Sequence, residues 1–376
     1  MGPMRFIHTA DWHLGMTRRF LQPEHQARYS EARLQAVRDI ARLAREEDAA
    51  FVLACGDLFD SNHVDRQVIA RAADAMRDFT VPLLLLPGNH DPLDAASVYR
   101  SRAFTQRMPD QVRVIEDAAP IVMGDVEVVG APWVARRPGL DPSAAVLAAL
   151  EPGPVRVLAA HGVVDVLSPD SGDPEVIRMA GLAQALDDGR VAYVALGDRH
   201  SSTEVGGDAR VRYPGTPVAT DHGELDPGNV LVVEIVDGGV TASPRRVGDW
   251  TFVRREARFA GPDDVDALQH ELDALPDKAR TVVRLDLVGA LSVPEEARLR
   301  AMLAGHEDLF ASLTVSERGS DLAVIAADDD LSALGLSGYA LAAAEEIAAA
   351  AGQEGPQQQA ARDALRVLYR LAGQGA

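Results

Sequence analysis

Several things are scarce in this sequence, and each shortage excludes something. Cysteine occurs once, as Cys55, so no intramolecular disulfide can form and no set of thiolates can hold a metal. It sits in the apolar run "FVLACG", where a small buried core residue is the plainer reading. No apolar run approaches the roughly 18–20 residues that a membrane helix needs. The N-terminal "MGPMRFIHTADWH" reads as a strand running into a motif, not as a secretion signal, so no membrane association and a cytoplasmic location are expected. Lysine also occurs once, as Lys278; the other cations are arginine, a compositional habit from which no function follows. Net positive charge is missing as well: 37 basic against 57 acidic residues give −20. Taken alone, that value argues against binding a phosphate backbone, although acidic clusters that hold divalent metals contribute to it. One segment runs the other way. "RRVGDWTFVRREAR", residues 245–258, carries five Arg against one Asp and one Glu, which on charge alone suits a solvated strand edge as well as a nucleic-acid contact.

What is present is organised. A length of 376 residues with 47% hydrophobic and 25% charged content suits a soluble chain of about two domains. Apolar runs at 4–10, 49–56 and 81–88 alternate with helical patterns at 24–47 and 65–78, a βαβαβ rhythm that predicts a sheet buried by helices. From about 111 to 250 the pattern turns mostly to strands: "VRVI", "VEVVGAP", "VRVLAAHG", "VAYVALG", "RVRYPG" and "NVLVVEIV". The expected fold class is α/β, two stacked sheets flanked by helices over 1–248. A small α+β unit is expected over 249–335, and a helical tail over 336–376 with a "GQEGPQQQ" linker before a last helix at about 359–372.

Five short motifs each follow a predicted strand: "TADWH" with Asp11 and His13, "CGDLFD" with Asp57, "PGNHD" with Asn89, His90 and Asp91, "AAHG" with His161, and "GDRH" with Asp198 and His200. Ligands gather where strands of layered α/β folds end. All the donors are oxygen or nitrogen, a set suited to Mn²⁺, Mg²⁺, Fe²⁺ or Zn²⁺, and there are too many for one tetrahedral ion. Paired ions roughly 3.5–4 Å apart are what phosphoester hydrolysis uses. Each motif alone is weak; all five in order, each at a strand end, are specific.

With these motifs the sequence resembles the calcineurin-like metallophosphoesterases, over residues 5 to about 248. The resemblance implies that Asp11, His13, Asp57 and His200 hold one metal. It implies that Asp57 bridges to a second, held also by Asn89 and His161, and that His90 is the general acid or a transition-state stabiliser, with Asp91 orienting it. Within that superfamily, "FIHTADWHLG", "GDLFD" and "RYPGTPVATDHGE" look like the SbcD-type DNA double-strand-break repair nucleases. That likeness implies a Mn²⁺-dependent DNA exonuclease, with endonuclease activity a further expectation. It also implies that 249–335 is a capping, DNA-binding domain, that an SbcC-like coiled-coil ATPase docks on the tail, and that the protein is a homodimer.

One position departs from the pattern. Asp198 stands where the family would place a histidine ligand of the second metal. It can ligate through a carboxylate oxygen, favouring hard ions; it can fall short and leave that site weak; or the protein can be a catalytically impaired DNA-binding subunit. Because every other position is filled, the first reading is preferred. His63, Arg136, Arg137, His222, Arg254 and Arg255 are candidate substrate contacts, and Arg18 and Arg19 lie in a loop that could face the groove. Trp12 and Trp133 suit core packing as well as base stacking. The rival enzymatic reading is a phosphodiesterase or phosphatase for nucleotides or other small esters.

Overall fold

A computed structural model of the chain describes residues 4–168, 172–261, 263–325 and 336–351, with 360, 361, 364, 365, 367 and 368. The linker at 352–359, and Arg362, Arg366 and Arg370 of the last helix, lie outside the described residues. Two compact units are present, one of Met1–Arg19 with Pro23–Trp250 and one of Phe20–Gln22 with Thr251–Ala376. The expected tail at 336–376 thus falls within the second unit.

The first unit holds two mixed six-stranded sheets. One runs in the order β12 (Gly239–Arg246), β11 (Asn229–Val236), β1 (Met4–Thr9), β2 (Val52–Cys55), β3 (Leu83–Leu86), β4 (Val112–Val114). The other runs β5 (Ile121–Met123), β6 (Val126–Ala131), β7 (Val155–His161), β8 (Tyr193–Gly197), β10 (Asp208–Tyr213), β9 (Thr203–Val205). The central strands read as unbroken apolar runs because both faces are covered. Phe6, Leu53, Leu84 and Leu86 pack between the sheets against Val128, Val157, Ala159 and Tyr193. Their sequence neighbours Ile7, Val52, Ala54, Leu83 and Leu85 face outward, onto Val37, Ile40 and Ala44 of α1 (Pro23–Glu46) and Ile69, Ala72 and Met76 of α2 (Arg66–Met76). A short α3 (Arg102–Thr105) adds Phe104 to that layer. On the far side, α4 (Pro142–Ala149) and α5 (Met179–Asp187) cover Val129, Leu158, Val194 and Leu196.

These last two helices were not expected. The first begins at Asp141, whose carboxylate accepts from Ser143 N at 2.8 Å, with Pro142 in its first turn; its Ala-rich body carries no apolar stripe to announce it. The edge strands β5 and β9 were missed as well, being only three residues each. So was β12, whose side chains are mostly exposed.

The second unit has a parallel sheet in which β14 (Thr281–Ser292) pairs with β13 (Thr251–Phe259) on one side, and with β15 (Ser312–Val315) and β16 (Asp321–Ile325) on the other. It is covered by α6 (Asp263–Ala274) and α7 (Val293–Glu307), through Val265, Leu268, Leu272, Leu299 and Leu303. The second of these helices starts in a reciprocal capping box between Ser292 and Glu295. Leu365 and Leu368 pack with Leu341, Ile347 and Ala348 of α8 (Tyr339–Ala351). No helix among the described residues is long and apolar enough to cross a membrane.

His8, fully buried on β1, binds across to the second sheet. Its Nε2–H donates to the Leu196 carbonyl at 3.1 Å, and its Nδ1 accepts from the Tyr193 hydroxyl at 3.1 Å. Burial lowers its pKa from 6.5 to about 3. The folded protein therefore keeps His8 neutral where the unfolded chain takes up a proton. Its contribution is intact above pH 6.5 and is lost as pH falls toward 3, at about 1.4 kcal/mol per pH unit. Compared with His8→Gln, which cannot protonate, wild type should lose about 2 kcal/mol more stability between pH 7 and pH 5 in urea unfolding. Equal losses would contradict this.

Candidate metal centre

The parallel strands β1, β2, β3, β7 and β8 deliver their C-terminal ends to one place, and the five motifs begin there. The loops after β1 and β2 are laced together: Asp11 N donates to Gly56 O at 3.0 Å, His13 N to Asp57 O at 2.9 Å and Leu14 N to Leu58 O at 2.8 Å. The backbone there is strained. Asp11, His13, Asp57 and Asp198 all have positive φ, at 56°, 44°, 53° and 99°. Each such residue costs on the order of 1–3 kcal/mol and persists only where its surroundings fix it. Two glycines admit the side chains: a Cβ on Gly197 would lie 1.7 Å from Cys55 O, and one on Gly88 2.2 Å from Asp57 Oδ1.

The side chains converge in overlapping groups: Asp11, His13 and His200; His13, Asp57 and His90; and Asp11, Asp57 and His161. His13 Nε2 lies 3.1 Å from His200 Nε2 and 3.9 Å from Asp57 Oδ2. His161 Nε2 lies 3.4 Å from the same Asp57 oxygen and 3.8 Å from Asp198 Oδ1. Asp57 thus stands between two clusters. Asp198 also serves through its backbone, donating its N–H to both Asp11 oxygens at 3.0 and 3.2 Å.

The ring nitrogens are sorted by their outer partners. His161 Nδ1–H donates to Cys55 O at 2.9 Å, and His200 Nδ1–H is shared by Thr220 Oγ1 at 2.8 Å and Glu224 Oε1 at 2.9 Å. Both arrangements leave Nε2 for the centre, as in histidines that ligate metals. His13 Nδ1 faces Asp60 Oδ1 at 3.5 Å.

Two observations test whether a cation fits. The Asn89 amide oxygen faces only acceptors, 3.1 and 3.2 Å from the Asp57 oxygens and 2.8 Å from His161 Nε2. A hydrogen-bonding amide would be turned over there, whereas a cation among these atoms would hold it as it stands. The carboxylates are also crowded. Burial pushes Asp11 up to about 7, opposed by His200 and His161. Burial likewise raises Asp198, with His161 opposing. Burial would raise Asp57 too, but the attraction of His161, aided by His13 and His90, holds it well below the usual carboxylate range. Buried acids gathered so closely need compensating positive charge, and the residues present fit a pair of divalent ions.

His90 is exposed at the rim. Its N–H donates to Asp57 Oδ1 at 2.9 Å and its Nδ1–H to Asp60 O at 2.9 Å, which leaves Nε2 for a ligand. The expectation that Asp91 orients this ring is corrected. Its carboxylate is buried away from the ring and accepts from Gly88 N at 2.8 Å, Phe59 N at 2.9 Å and the Tyr99 hydroxyl at 2.6 Å. It ties together the loops that carry Asp57 and Asn89.

The candidate substrate contacts lie outside the three converging groups. His63, Arg136 and Arg137 are exposed, and His222 is half-buried. Arg254 and Arg255 lie in the second unit, where Arg254 pairs with Asp286 at 2.6 Å. Arg18 donates to the Thr220 carbonyl at 2.7 Å, and Arg19 is exposed. Trp12 and Trp133 are packing residues: Trp12 Nε1–H donates to Thr9 Oγ1 at 2.9 Å, and Trp133 Nε1–H to His161 O at 2.7 Å. Sequence reasoning missed Asp60, Thr220 and Glu224. The last two sit in the quoted "VATDHGE", but nothing in spacing says which histidine they meet.

Residues 4–202 match the family model described as calcineurin-like phosphoesterase. The SbcD component of the nuclease SbcCD from Staphylococcus saprophyticus is 28% identical over 139 residues, 35% of this chain and 34% of that protein. That of Bacillus subtilis is 31% identical over 98 residues, 25% of this chain and 24% of that one. The chain thus matches about a third or less of the length of these relatives. Among solved structures, the purple acid phosphatase PPD1 of yellow lupin aligns with a TM-score of 0.40 at 14% identity, over 65% of this chain and 52% of that one.

Proposed function

The chain belongs to the calcineurin-like phosphoesterase family, and on that premise we propose that it is a two-metal DNA phosphodiesterase. In this reading it is the nuclease subunit of an ATPase-linked repair complex, an exonuclease with endonuclease activity besides. The coarser statement, a metal-dependent phosphoesterase, follows from the family and from the converging Asp and His groups. The observation that carries the reading is the placement of Asp57 between two clusters of donors. One position would be held by Asp11, His13, Asp57 and His200, the other by Asp57, Asn89, His161 and Asp198. When bound, such a pair, Mn²⁺ in this proposal, supplies Lewis acidity to the phosphoryl group and acidifies water.

The protein's own groups do the rest. His90, its Nδ1–H fixed on the Asp60 carbonyl, presents Nε2 to protonate the leaving alkoxide. Asp91 keeps the loops bearing Asp57 and Asn89 in register. DNA as substrate and an SbcC-type partner are supported by the relatives' being components of the nuclease SbcCD; that this partner is a coiled-coil ATPase and that the protein is a homodimer belong to the same proposal. The arginines of β13 are the proposed backbone contacts.

The test compares linear duplex DNA with a small phosphodiester, each with Mn²⁺, over a range of salt. The proposal expects duplex degradation whose binding weakens steeply with salt, because counterions are released from a polyanion. Cleavage of the small ester with duplex left intact would overturn it in favour of a small-ester phosphodiesterase.

A further inference from the structure

On the outer side of the centre, α1 carries an arginine where its buried stripe calls for an apolar residue. Arg33 shares a face with Tyr29, Val37 and Ile40, at helical spacing, and is 2% exposed. Among the described residues, no carboxylate lies within ion-pair distance of it. Burying a guanidinium without an acid is costly, and an aliphatic side chain of similar size would pack here without that cost.

The partners of this side chain explain its presence. Arg33 Nη1–H donates to the Trp12 carbonyl at 2.6 Å, and Nη2–H to the Tyr29 hydroxyl at 2.6 Å, with Met16 Sδ at 3.3 Å. Its guanidinium lies 4.7 Å over the Tyr29 ring. Trp12 is the residue between Asp11 and His13, both held at positive φ. The Tyr29 hydroxyl passes the contact on, donating to the Ala219 carbonyl at 2.8 Å. The next residue, Thr220, is the one whose hydroxyl meets His200 Nδ1 at 2.8 Å. Other residues of the same helix face reinforce the first loop: Gln26 Nε2–H donates to Met16 O at 3.2 Å, and its Oε1 accepts from Arg18 N at 2.7 Å.

We infer that Arg33 is a positioning residue for the first metal position: from behind the site it pins the Asp11–His13 turn and, through Tyr29, the loop that orients His200. The inference rests on the metal-centre reading above and deepens it. Arg33 touches no substrate; it acts through those two loops, and its charge is also felt at His13, His200 and Asp60.

The test is a Mn²⁺ titration of the full-length protein, by calorimetry or by electron paramagnetic resonance, beside thermal melts without metal. Three variants separate positioning from folding. Arg33→Met keeps the stem and removes every donor, Arg33→Lys restores a cation and a donor, and Tyr29→Phe removes only the hydroxyl that reaches Ala219. Residues one shell out from a metal typically change affinity by about 10–100-fold. Arg33→Met should therefore weaken the tighter Mn²⁺ site by at least ~10-fold. Tyr29→Phe should weaken it by about threefold, below that range because the Trp12 contact survives. Arg33→Lys should recover most of the loss, with metal-free melting little changed.

Wild-type affinity in both Arg33→Met and Tyr29→Phe overturns the inference and leaves the metal centre standing. If Arg33→Met does not fold, Tyr29→Phe and Arg33→Lys decide: wild-type affinity in Tyr29→Phe, or no better binding in Arg33→Lys than in a fully disabled site, overturns it. Wild-type protein that takes up no Mn²⁺ would instead overturn the metal reading, and this inference with it.

Discussion

Asp57→Asn should lower Mn²⁺-dependent phosphodiester hydrolysis by about 10³-fold or more while leaving the fold intact. Asp57 is shared by the two donor clusters, 3.9 Å from His13 Nε2 and 3.4 Å from His161 Nε2 through the same oxygen. Replacing the carboxylate with an amide removes one charge from both positions at once. A loss of about 4 kcal/mol of transition-state stabilisation is the scale expected when metal-borne charge stabilisation fails, and that energy corresponds to about three decades in rate. The amide fills the same volume and can still accept from His90 N, which binds Asp57 Oδ1 at 2.9 Å, so the metal-free melting temperature should change little. The check is a steady-state assay on a phosphodiester with circular dichroism beside it. Activity within tenfold of wild type would contradict the assignment.

Asp198→Asn should separate the two positions. The carboxylate is 3.8 Å from His161 Nε2, while its backbone N–H holds both oxygens of Asp11. The substitution keeps that N–H, and asparagine accepts the φ of 99° better than alanine would. The first ion should therefore bind as in wild type. The second should weaken by about 10–100-fold, with hydrolysis at limiting Mn²⁺ falling in step. Asp198→His should restore a second site and shift its preference from Mn²⁺ toward Zn²⁺, because imidazole suits Zn²⁺ and carboxylate suits Mn²⁺. Equal weakening of both ions, or none of either, would contradict the assignment of this carboxylate to the second position.

Much of this was legible in the sequence because it was written in local signals. Strands buried on both faces show as "FVLAC" and "LLLL", and the ligand-type residues follow them immediately in "TADWH", "GD", "GNHD", "AAHG" and "GDRH". The structure brings Asp11, His13, Asp57, Asn89, His161, Asp198 and His200 together without exception. What was illegible depended on tertiary placement. Asp91 reads as a partner of the neighbouring His90, but the backbone turns it inward to Phe59 N and Tyr99. Glu224 and Thr220 reach His200 from a loop some twenty positions further along the chain, with no periodicity to mark them. Arg33 did leave a trace, as a charged residue on an apolar helix stripe, but only the contact with the Trp12 carbonyl gives it a meaning. The short edge strands and the Ala-rich α4 failed for a simpler reason: three residues at a sheet edge, or a helix apolar on every side, carry no pattern.

The most direct measurement is anomalous scattering at the manganese edge from crystals of the protein grown with Mn²⁺. Two peaks are expected, roughly 3.5–4 Å apart, one among Asp11, His13, Asp57 and His200 and the other among Asp57, Asn89, His161 and Asp198, with an Asp198 oxygen about 2.2 Å from the second ion, an ordinary metal–carboxylate distance. A single peak, or two peaks that do not share Asp57, would contradict the two-metal centre.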